Sequence, residues 1–224
     1  MNERSFIEVM IRFGKSVKLT GLFVFQPNKV VFMQNSEPDM AEQIFIATEK
    51  LMAEYGLPYL SMHKIAKEAK ISAGTIYIYF KSKEELLEQF ARRVFSNFQR
   101  EIARNFDETK PFFEQYRQMW KNIWSHLLKN QMVVANMHQY RALPKFNEIC
   151  QELDKQNLWT NFCMKAKQAG AMCDLPTDVL FSISLESAVN LSFRVLGSNV
   201  KEPLSDDTLE MIIERTWRSI QKEI

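Results

Sequence analysis

Apolar residues recur every three or four positions along most of the chain from Met40 onward, the spacing of one buried face of an α-helix. The first such stripe runs from Ile44 to Tyr55 and meets Gly56, a residue type that commonly terminates helices. Stripes of the same period follow to the end of the chain, with no strand to place between them. The pattern predicts an all-α protein.

Two short helices are predicted directly after the first. Ser61 and Ser72 are each positioned to cap a helix N-terminus, the first before Met62 and the second before Ala73. Ser82 and Glu85 match the S-x-x-E capping box, which predicts the start of a long fourth helix. Two short helices joined by a tight turn form a helix-turn-helix.

A bundle of longer amphipathic helices is predicted beyond this unit. Prolines at 111, 144 and 176 and glycines at 170 and 197 stand where helices start or stop. The expected helices cover residues 84–106, 112–128, 131–141, 145–169, 177–196 and 206–222.

Residues 1–39 do not continue this pattern. They combine a short amphipathic stretch with β-prone runs at residues 22–25 and 30–32. We weigh two explanations: a start upstream of the natural first residue, Met33 or Met40, or a true extension that packs on the body or on a partner chain. The first is favoured, and no function is assigned to this segment.

The composition is that of a soluble globular protein. The chain has 224 residues and is 46% hydrophobic and 25% charged, and its 6 glycines favour helices over a turn-rich strand fold. Three cysteines, at 150, 163 and 173, suit neither a disulfide framework nor a metal pair, so they indicate reduced thiols in the cytoplasm. No run approaches 18 apolar residues and no signal peptide is evident, so neither membrane nor export is predicted.

Positive charge concentrates on the helix-turn-helix. Between Ser61 and Lys83 there are five lysines and one glutamate, whereas the whole chain has a net charge of only +2. Lysines that neutralise phosphates supply most of the sequence-independent affinity for DNA, while the second helix of such a motif reads base edges. The alternative is a solvated charged face on a small helical bundle.

The order of residues favours DNA binding. Residues 56–86, GLPYLSMHKIAKEAKISAGTIYIYFKSKEEL, closely resemble the DNA-binding segment of the TetR (tetracycline repressor) family of bacterial regulators. The resemblance extends over about residues 40–90 without a gap. It implies a helix-turn-helix DNA-binding domain at residues 40–90 and a helical effector-binding and dimerisation domain at residues 91–224.

The resemblance also implies roles for single residues. The expected DNA contacts are Ser61, His63, Ser72, Ala73, Gly74, Thr75, Tyr77, Tyr79 and Lys83. Leu60 and Ala73 depart from the polar residues that many relatives have at these two positions. Few hydrogen bonds to base edges are therefore expected, and sequence preference is expected to depend on thymine methyl groups and on DNA shape.

In this family the variable C-terminal helices enclose a ligand pocket, and the last two of them pair with those of a second subunit. The expected homodimer therefore forms through residues 177–196 and 206–222. The preferred pocket candidates are Trp120, Trp124, Met137, Tyr140, Phe162, Phe181, Glu186 and Asn190, with His126, His138 and Arg141 as further polar groups and Met132, Met164 and Phe193 as further apolar ones. Such a lining suits a hydrophobic drug or an acyl chain. The same residues would also serve as core in any bundle, and Glu186 either binds a cation, pairs with Arg194 or faces solvent.

No catalytic motif is present. The chain lacks nucleotide-binding glycine loops, the G-x-S-x-G nucleophile and H-E-x-x-H, so we predict no enzyme, cofactor or metal site. The expected function is that of a repressor that binds a palindromic operator as a dimer and is released by a small hydrophobic effector. The alternative is a helix-turn-helix protein without an effector that acts through protein partners. A cavity of about 300 Å³ or more would favour the sensor.

Overall fold

A computed structural model describes residues 39–154, 157–197 and 204–222 of the chain. The predicted extension, residues 1–39, lies outside these ranges except for Asp39. The helices in the described ranges are α1 (Met40–Tyr55), α2 (Met62–Glu68), α3 (Ala73–Tyr79), α4 (Lys83–Ile102), α5 (Phe112–Lys129), α6 (Gln131–Tyr140), α7 (Phe146–Asp154), α8 (Leu158–Gln168), α9 (Thr177–Ile183), α10 (Glu186–Gly197) and α11 (Asp206–Arg218). A 3₁₀ turn at Leu57–Tyr59 follows α1, and an isolated bridge pairs Met172 with Gln221. The predicted all-α class is confirmed.

Serine caps start the helices of the helix-turn-helix as predicted. The hydroxyls of Ser61, Ser72 and Ser82 each accept a hydrogen bond from the backbone N–H three residues further on, at 3.3, 3.0 and 3.1 Å. The second half of the capping box differs from expectation. The Glu85 carboxylate accepts from the N–H of Lys81 at 2.7 Å, one residue before the cap, so it fastens the loop that enters α4.

One hydrophobic core holds the first four helices together. Ile44, Ile65, Ile76 and Phe90, from α1, α2, α3 and α4, are each fully buried in it. Residues from beyond the predicted domain boundary join the same core: Tyr140, Leu143 and Ile149. The core of α1–α4 is therefore completed by α6, α7 and the loop between them.

A second core fills the rest of the protein, and α5 runs through its centre. This helix packs against α4, α6, α10 and α11. Its Tyr116 and Trp120 are completely buried, and Tyr116 donates a hydrogen bond to Thr216 of α11 at 2.8 Å. The indole N–H of Trp120 donates to Ser187 at 2.8 Å.

The single helix predicted over residues 177–196 is wrong, because the chain breaks between α9 and α10. Ser184 leaves the helical region with φ −128° and ψ −87°. Its side chain donates to the carbonyl of Leu180, while the hydroxyl of Ser187 donates to the carbonyl of Ser184 at 2.6 Å. Side-chain hydrogen bonds of this kind compete with the helical ladder and stabilise the break.

The long helix predicted over residues 145–169 is also wrong, since α7 ends at Asp154 and α8 begins at Leu158. Asn157 caps α8 by accepting a hydrogen bond from the N–H of Thr160 at 2.7 Å. Asparagine favours such a helix start over a helix interior, which explains the interruption.

Candidate functional site

An exposed face of α3 is the first candidate site. Ala73, Gly74, Tyr77 and Ile78 are all exposed and follow one another around one side of this helix, while Ile76 on the opposite side is fully buried. Ile78 is 80% exposed, which is unusual for a large apolar side chain on a helix. Sequence analysis did not select Ile78. Its position four residues after Gly74 was the signal that placed it on this face.

Gly74 keeps this face flat. A Cβ at this position would have only the Ser72 hydroxyl nearby, at 3.7 Å, and Gly74 has an ordinary helical backbone. The fold therefore does not require glycine here. A flat surface does allow close approach of the helix backbone to a ligand.

The other predicted DNA-contacting residues lie around this face. Thr75 is half-buried and its hydroxyl lies 2.8 Å from that of Ser72, and Tyr79 is exposed at the end of α3. His63 is exposed on the first turn of α2. Ser61 is half-buried at the cap of α2, and Lys83 is the first residue of α4. Leu60 is buried, so its departure from the family pattern serves the core.

The predicted lysine patch is present around α2 and α3. Lys64 folds back over the ring of Tyr59, with its nitrogen 3.1 Å from the ring centroid. None of the five lysines, Lys64, Lys67, Lys70, Lys81 and Lys83, forms an ion pair with any residue that the structure describes. All five can therefore neutralise phosphates without breaking an ion pair.

A cavity of about 330 Å³ is the second candidate site. It lies where α4, α6, α7, α9 and α10 meet, with one residue from α1 and one from α5. The lining residues are Glu49, Arg93, Val94, Phe95, Asn97, Phe98, His126, Asn130, Val133, Met137, Tyr140, Arg141, Phe146, Cys150, Phe181, Glu186 and Val189.

Half of the preferred pocket candidates line this cavity: Met137, Tyr140, Phe181 and Glu186. The other four lie elsewhere. Trp120 and Trp124 stack on each other in the second core, Phe162 stacks on Trp159, and Asn190 is exposed. His126 and Arg141 are also in the lining, whereas Met132, His138, Met164 and Phe193 are exposed outside it.

Ion pairs and hydrogen bonds join one wall of the cavity to α1. Arg93 of α4 donates to Glu42 at 2.8 Å and lies 3.8 Å from the buried carboxylate of Glu49. The Tyr140 hydroxyl donates to Glu49 at 2.7 Å. Burial and the adjacent Glu49 carboxylate raise the pKa of Tyr140, so it remains a neutral donor. Both acids belong to α1 and both donors belong to the cavity wall.

The polar groups on the opposite side are His126, Glu186 and Arg141. Burial lowers the pKa of His126, which favours the neutral imidazole near pH 7. Glu186 accepts a hydrogen bond from Arg141 at 3.1 Å. Arg194 was the protein partner that the sequence suggested for this carboxylate, and the structure places Arg141 there instead.

Helix α6 makes a further connection to α1 that sequence analysis missed. The side-chain amide of Asn136 donates to the Glu49 carbonyl at 2.8 Å, and that of Gln139 donates to the Met52 carbonyl at 3.0 Å. The Gln139 carbonyl oxygen accepts from the backbone N–H of Leu57 at 2.6 Å. The helix that lines the cavity therefore also binds the end of α1 and the turn that leads into α2.

Helices α9, α10 and α11 expose large apolar side chains. Val179, Ile183, Phe193 and Met211 are all exposed there. Residues Thr177–Leu196 reach a mean hydropathy of 1.4, enough by length and composition alone for a membrane span, and 28% of that stretch is buried. The break at Ser184 and the Glu186 carboxylate weigh against a span and fit a protein–protein contact.

Comparisons with known proteins agree with this architecture. Residues 44–90 match the bacterial regulatory proteins of the tetR family, and residues 111–221 match the tetracyclin repressor-like C-terminal domain. An uncharacterized HTH-type transcriptional regulator of Haemophilus influenzae is 52% identical over 190 residues, which cover 85% of this chain and all of that protein.

Solved structures show the same likeness. The crystal structure of a TetR-family regulator from Haemophilus influenzae has a TM-score of 0.77 at 54% identity, covering 82% of this chain and 97% of that one. A TetR-family protein from Vibrio parahaemolyticus has a TM-score of 0.71 at 33% identity, covering 83% of this chain and all of that one. These relatives are transcriptional regulators and not enzymes.

Proposed function

The chain belongs to the TetR family of DNA-binding transcriptional regulators, and from this premise we propose that it is a repressor with two further properties. It binds a palindromic operator as a homodimer, and a small hydrophobic effector releases it from that operator. It carries out this role in the cytoplasm.

The observation that carries the proposal is the exposed face of α3 beside lysines that form no ion pair within the described part of the chain. Small side chains at Ala73 and Gly74 allow the helix to approach base edges, and Tyr77 and Ile78 project from the same face. Lys67, Lys70, Lys81 and Lys83 supply the charge that phosphates require. Ser61, His63, Ser72, Thr75 and Tyr79 border this face and are assigned to positioning on the backbone and groove edges.

A homodimer matches a palindromic operator, because each subunit can bind one half-site. One short helix contacts too few base pairs for useful selectivity, so two copies spaced about one helical turn apart are needed. The exposed apolar residues Val179, Ile183, Phe193 and Met211 form a surface suited to a second copy of α9–α11. Residues 177–197 and 206–218 are the proposed interface, now with three helices in place of two.

The cavity favours the effector hypothesis over a protein that acts only through partners. Its volume of about 330 Å³ reaches the size of ordinary ligand sites. Its walls also include three helices that contribute to the core around α1–α3, namely α4, α6 and α7. A ligand that prefers one separation of these helices shifts the population of head positions, and this shift is the proposed release mechanism.

Selection of bound sequences from a random duplex library tests the proposal. We expect enriched inverted repeats, a protein dimer on each, and lower expression of a reporter placed behind the enriched site. Enrichment of single half-sites, or bound protein that remains monomeric, would contradict the dimer. Increased reporter expression would identify an activator.

A further inference from the structure

The charges of the cavity discriminate between ligands of opposite sign. Building on the effector role proposed above, we propose that the cavity takes a lipophilic cation and that the carboxylate of Glu186 receives its positive charge. The lining contains two ion pairs, Glu186 with Arg141 and Glu49 with Arg93.

The first pair is unequal in exposure. The Glu186 side chain is 23% exposed, whereas that of Arg141 is 76% exposed. Arg141 therefore moves into water at little cost, because an exposed ion pair contributes little stability. Glu186 cannot do the same, since it starts α10 against Phe181 and Val189 in the cavity wall.

Because the two side chains differ in exposure, a ligand cation can replace Arg141 favourably, whereas a ligand anion cannot replace Glu186 favourably. A cation that enters the cavity replaces Arg141 at the Glu186 carboxylate, and the released guanidinium becomes hydrated. An anion that takes Arg141 leaves Glu186 without its cation in a largely apolar space, next to the ligand's own negative charge. Leaving a largely shielded carboxylate without a cation is unfavourable.

The second pair does not offer an alternative site for an anion. Arg93 is hydrogen-bonded to Glu42 and lies 3.8 Å from Glu49, which in turn accepts from Tyr140. Its positive charge is thus already shared by two carboxylates from α1. An anion would have to displace one of them and disrupt the contact with the DNA-binding helices.

The remaining walls suit an aromatic or bulky apolar cation. Phe95, Phe98, Phe146 and Phe181 contribute rings, and Val133 and Met137 contribute aliphatic surface. Aromatic faces attract cations that have lost part of their hydration. His126 adds no charge when its imidazole is neutral. The inward-facing groups therefore combine an apolar volume with one exchangeable carboxylate.

The test uses pairs of probes that differ mainly in charge. Full-length protein is titrated calorimetrically with tetraphenylphosphonium and tetraphenylborate, and with the smaller phenyltrimethylammonium and benzenesulfonate. We expect binding of at least one cation, with affinity at least about tenfold above that of its anionic counterpart, and release of the selected operator by that cation. Preferred binding of an anion overturns the cation proposal but leaves effector-controlled release standing. Absence of binding by all four overturns the cation proposal and weakens the effector role, while DNA binding is scored separately.

Variants at the ion pair locate the charge. Glu186→Gln is expected to lower cation affinity about tenfold, and Arg141→Ala to raise it several-fold by removing the competitor. Glu108→Gln, an exposed acid of the loop between α4 and α5 that pairs with Lys165, is the matched control and should leave cation affinity unchanged. If Glu186→Gln strongly lowers the melting temperature, the cation affinity of Arg141→Ala alone tests the assignment, because this variant keeps the Glu186 carboxylate. Unchanged cation affinity in Arg141→Ala and in a folded Glu186→Gln would overturn the assignment.

Discussion

The backbone N–H of Leu57 donates a hydrogen bond of 2.6 Å to the side chain of Gln139, across 82 positions of sequence. The same amide of Gln139 donates to the carbonyl of Met52, so one side chain binds both the end of α1 and the turn that follows it. Gly56 lies between them at a φ of 87°, a left-handed conformation that favours glycine. The path into the helix-turn-helix is therefore held by the helix that lines the cavity.

Replacing Gln139 by alanine should weaken this connection. Loss of the acceptor leaves the half-buried Leu57 N–H unpaired, so we expect a stability loss of about 1–2 kcal/mol and a melting temperature lower by a few degrees. The effector concentration needed for operator release should also change. Gln89→Ala, on an exposed part of α4, is the control and should change neither quantity. Identical effector responses in both variants would remove Gln139 from the coupling path.

Gly74→Ala should separate folding from DNA binding. Alanine stabilises an exposed helix position by about 0.5–1 kcal/mol relative to glycine, and nothing in the free protein obstructs the new methyl group. We therefore expect a slightly higher melting temperature together with weaker operator binding, by about tenfold for a helix pressed against base edges. Thermal unfolding and fluorescence anisotropy measure the two effects. Full affinity would mean that Gly74 stays clear of the DNA.

Ile78 should contact a thymine methyl group. Uracil substituted for thymine at single operator positions removes only that methyl, so the wild type should lose affinity at one position per half-site. The loss should disappear in Ile78→Ala, which a double-mutant cycle detects. Ile46→Ala, an exposed isoleucine of α1, serves as the comparison. A uracil effect that persists in Ile78→Ala would assign the methyl contact to another residue.

Lys83→Ala should weaken binding to every DNA sequence. Loss of one phosphate contact lowers the slope of log affinity against log salt by about 0.9 in magnitude. Lys110→Ala removes an exposed lysine from the loop between α4 and α5 and should leave the slope unchanged. Titrations at several salt concentrations give both slopes, and equal slopes for the two variants would exclude Lys83 as a phosphate contact.

Glu210 should make the attachment of α11 sensitive to acid. Its hydrogen bonds to Arg117, at 2.7 and 2.8 Å, and its contact with Lys121 hold its pKa at about 2, below the ordinary value of 4.5. A lowered carboxyl pKa stabilises the folded protein above about pH 4.5, and that stabilisation is lost as the pH falls toward 2. Wild type should therefore melt above Glu210→Gln at pH 7, and the difference should shrink between pH 4.5 and 2. A difference that is independent of pH would contradict the ion-pair explanation.

The helix starts were predictable from local hydrogen bonds, whereas the helix breaks and the cavity lining depend on contacts between distant parts of the chain. Ser61, Ser72 and Ser82 cap helices through hydrogen bonds to residues three positions away, which a sequence displays directly. At the break around Ser184, the hydroxyls of Ser184 and Ser187 also interact with Tyr116 and Trp120 of α5, which lie far away in the sequence. No proline or glycine lies at this position and the apolar stripe continues through it, so the sequence did not predict the break.

The cavity lining shows the same limit. The side chains of Trp120 and Phe162 are aromatic, as are those of Tyr140 and Phe181, and all four recur at helical spacing. Whether an aromatic ring fills a core or borders a space depends on which helices meet around it. Ile78 was overlooked for the opposite reason, because its apolar character suggested burial and only the structure exposes it.

The contribution of Tyr140, Leu143 and Ile149 to the core beneath α1–α4 has a consequence for modularity. A segment cut after residue 90 would carry an unfilled apolar surface where these three side chains belong. Helices α1–α4 and the helices that follow them therefore cannot be exchanged between relatives as independent blocks. New operator preferences are more accessible through single substitutions at the exposed positions of α3, each of which leaves the shared core intact.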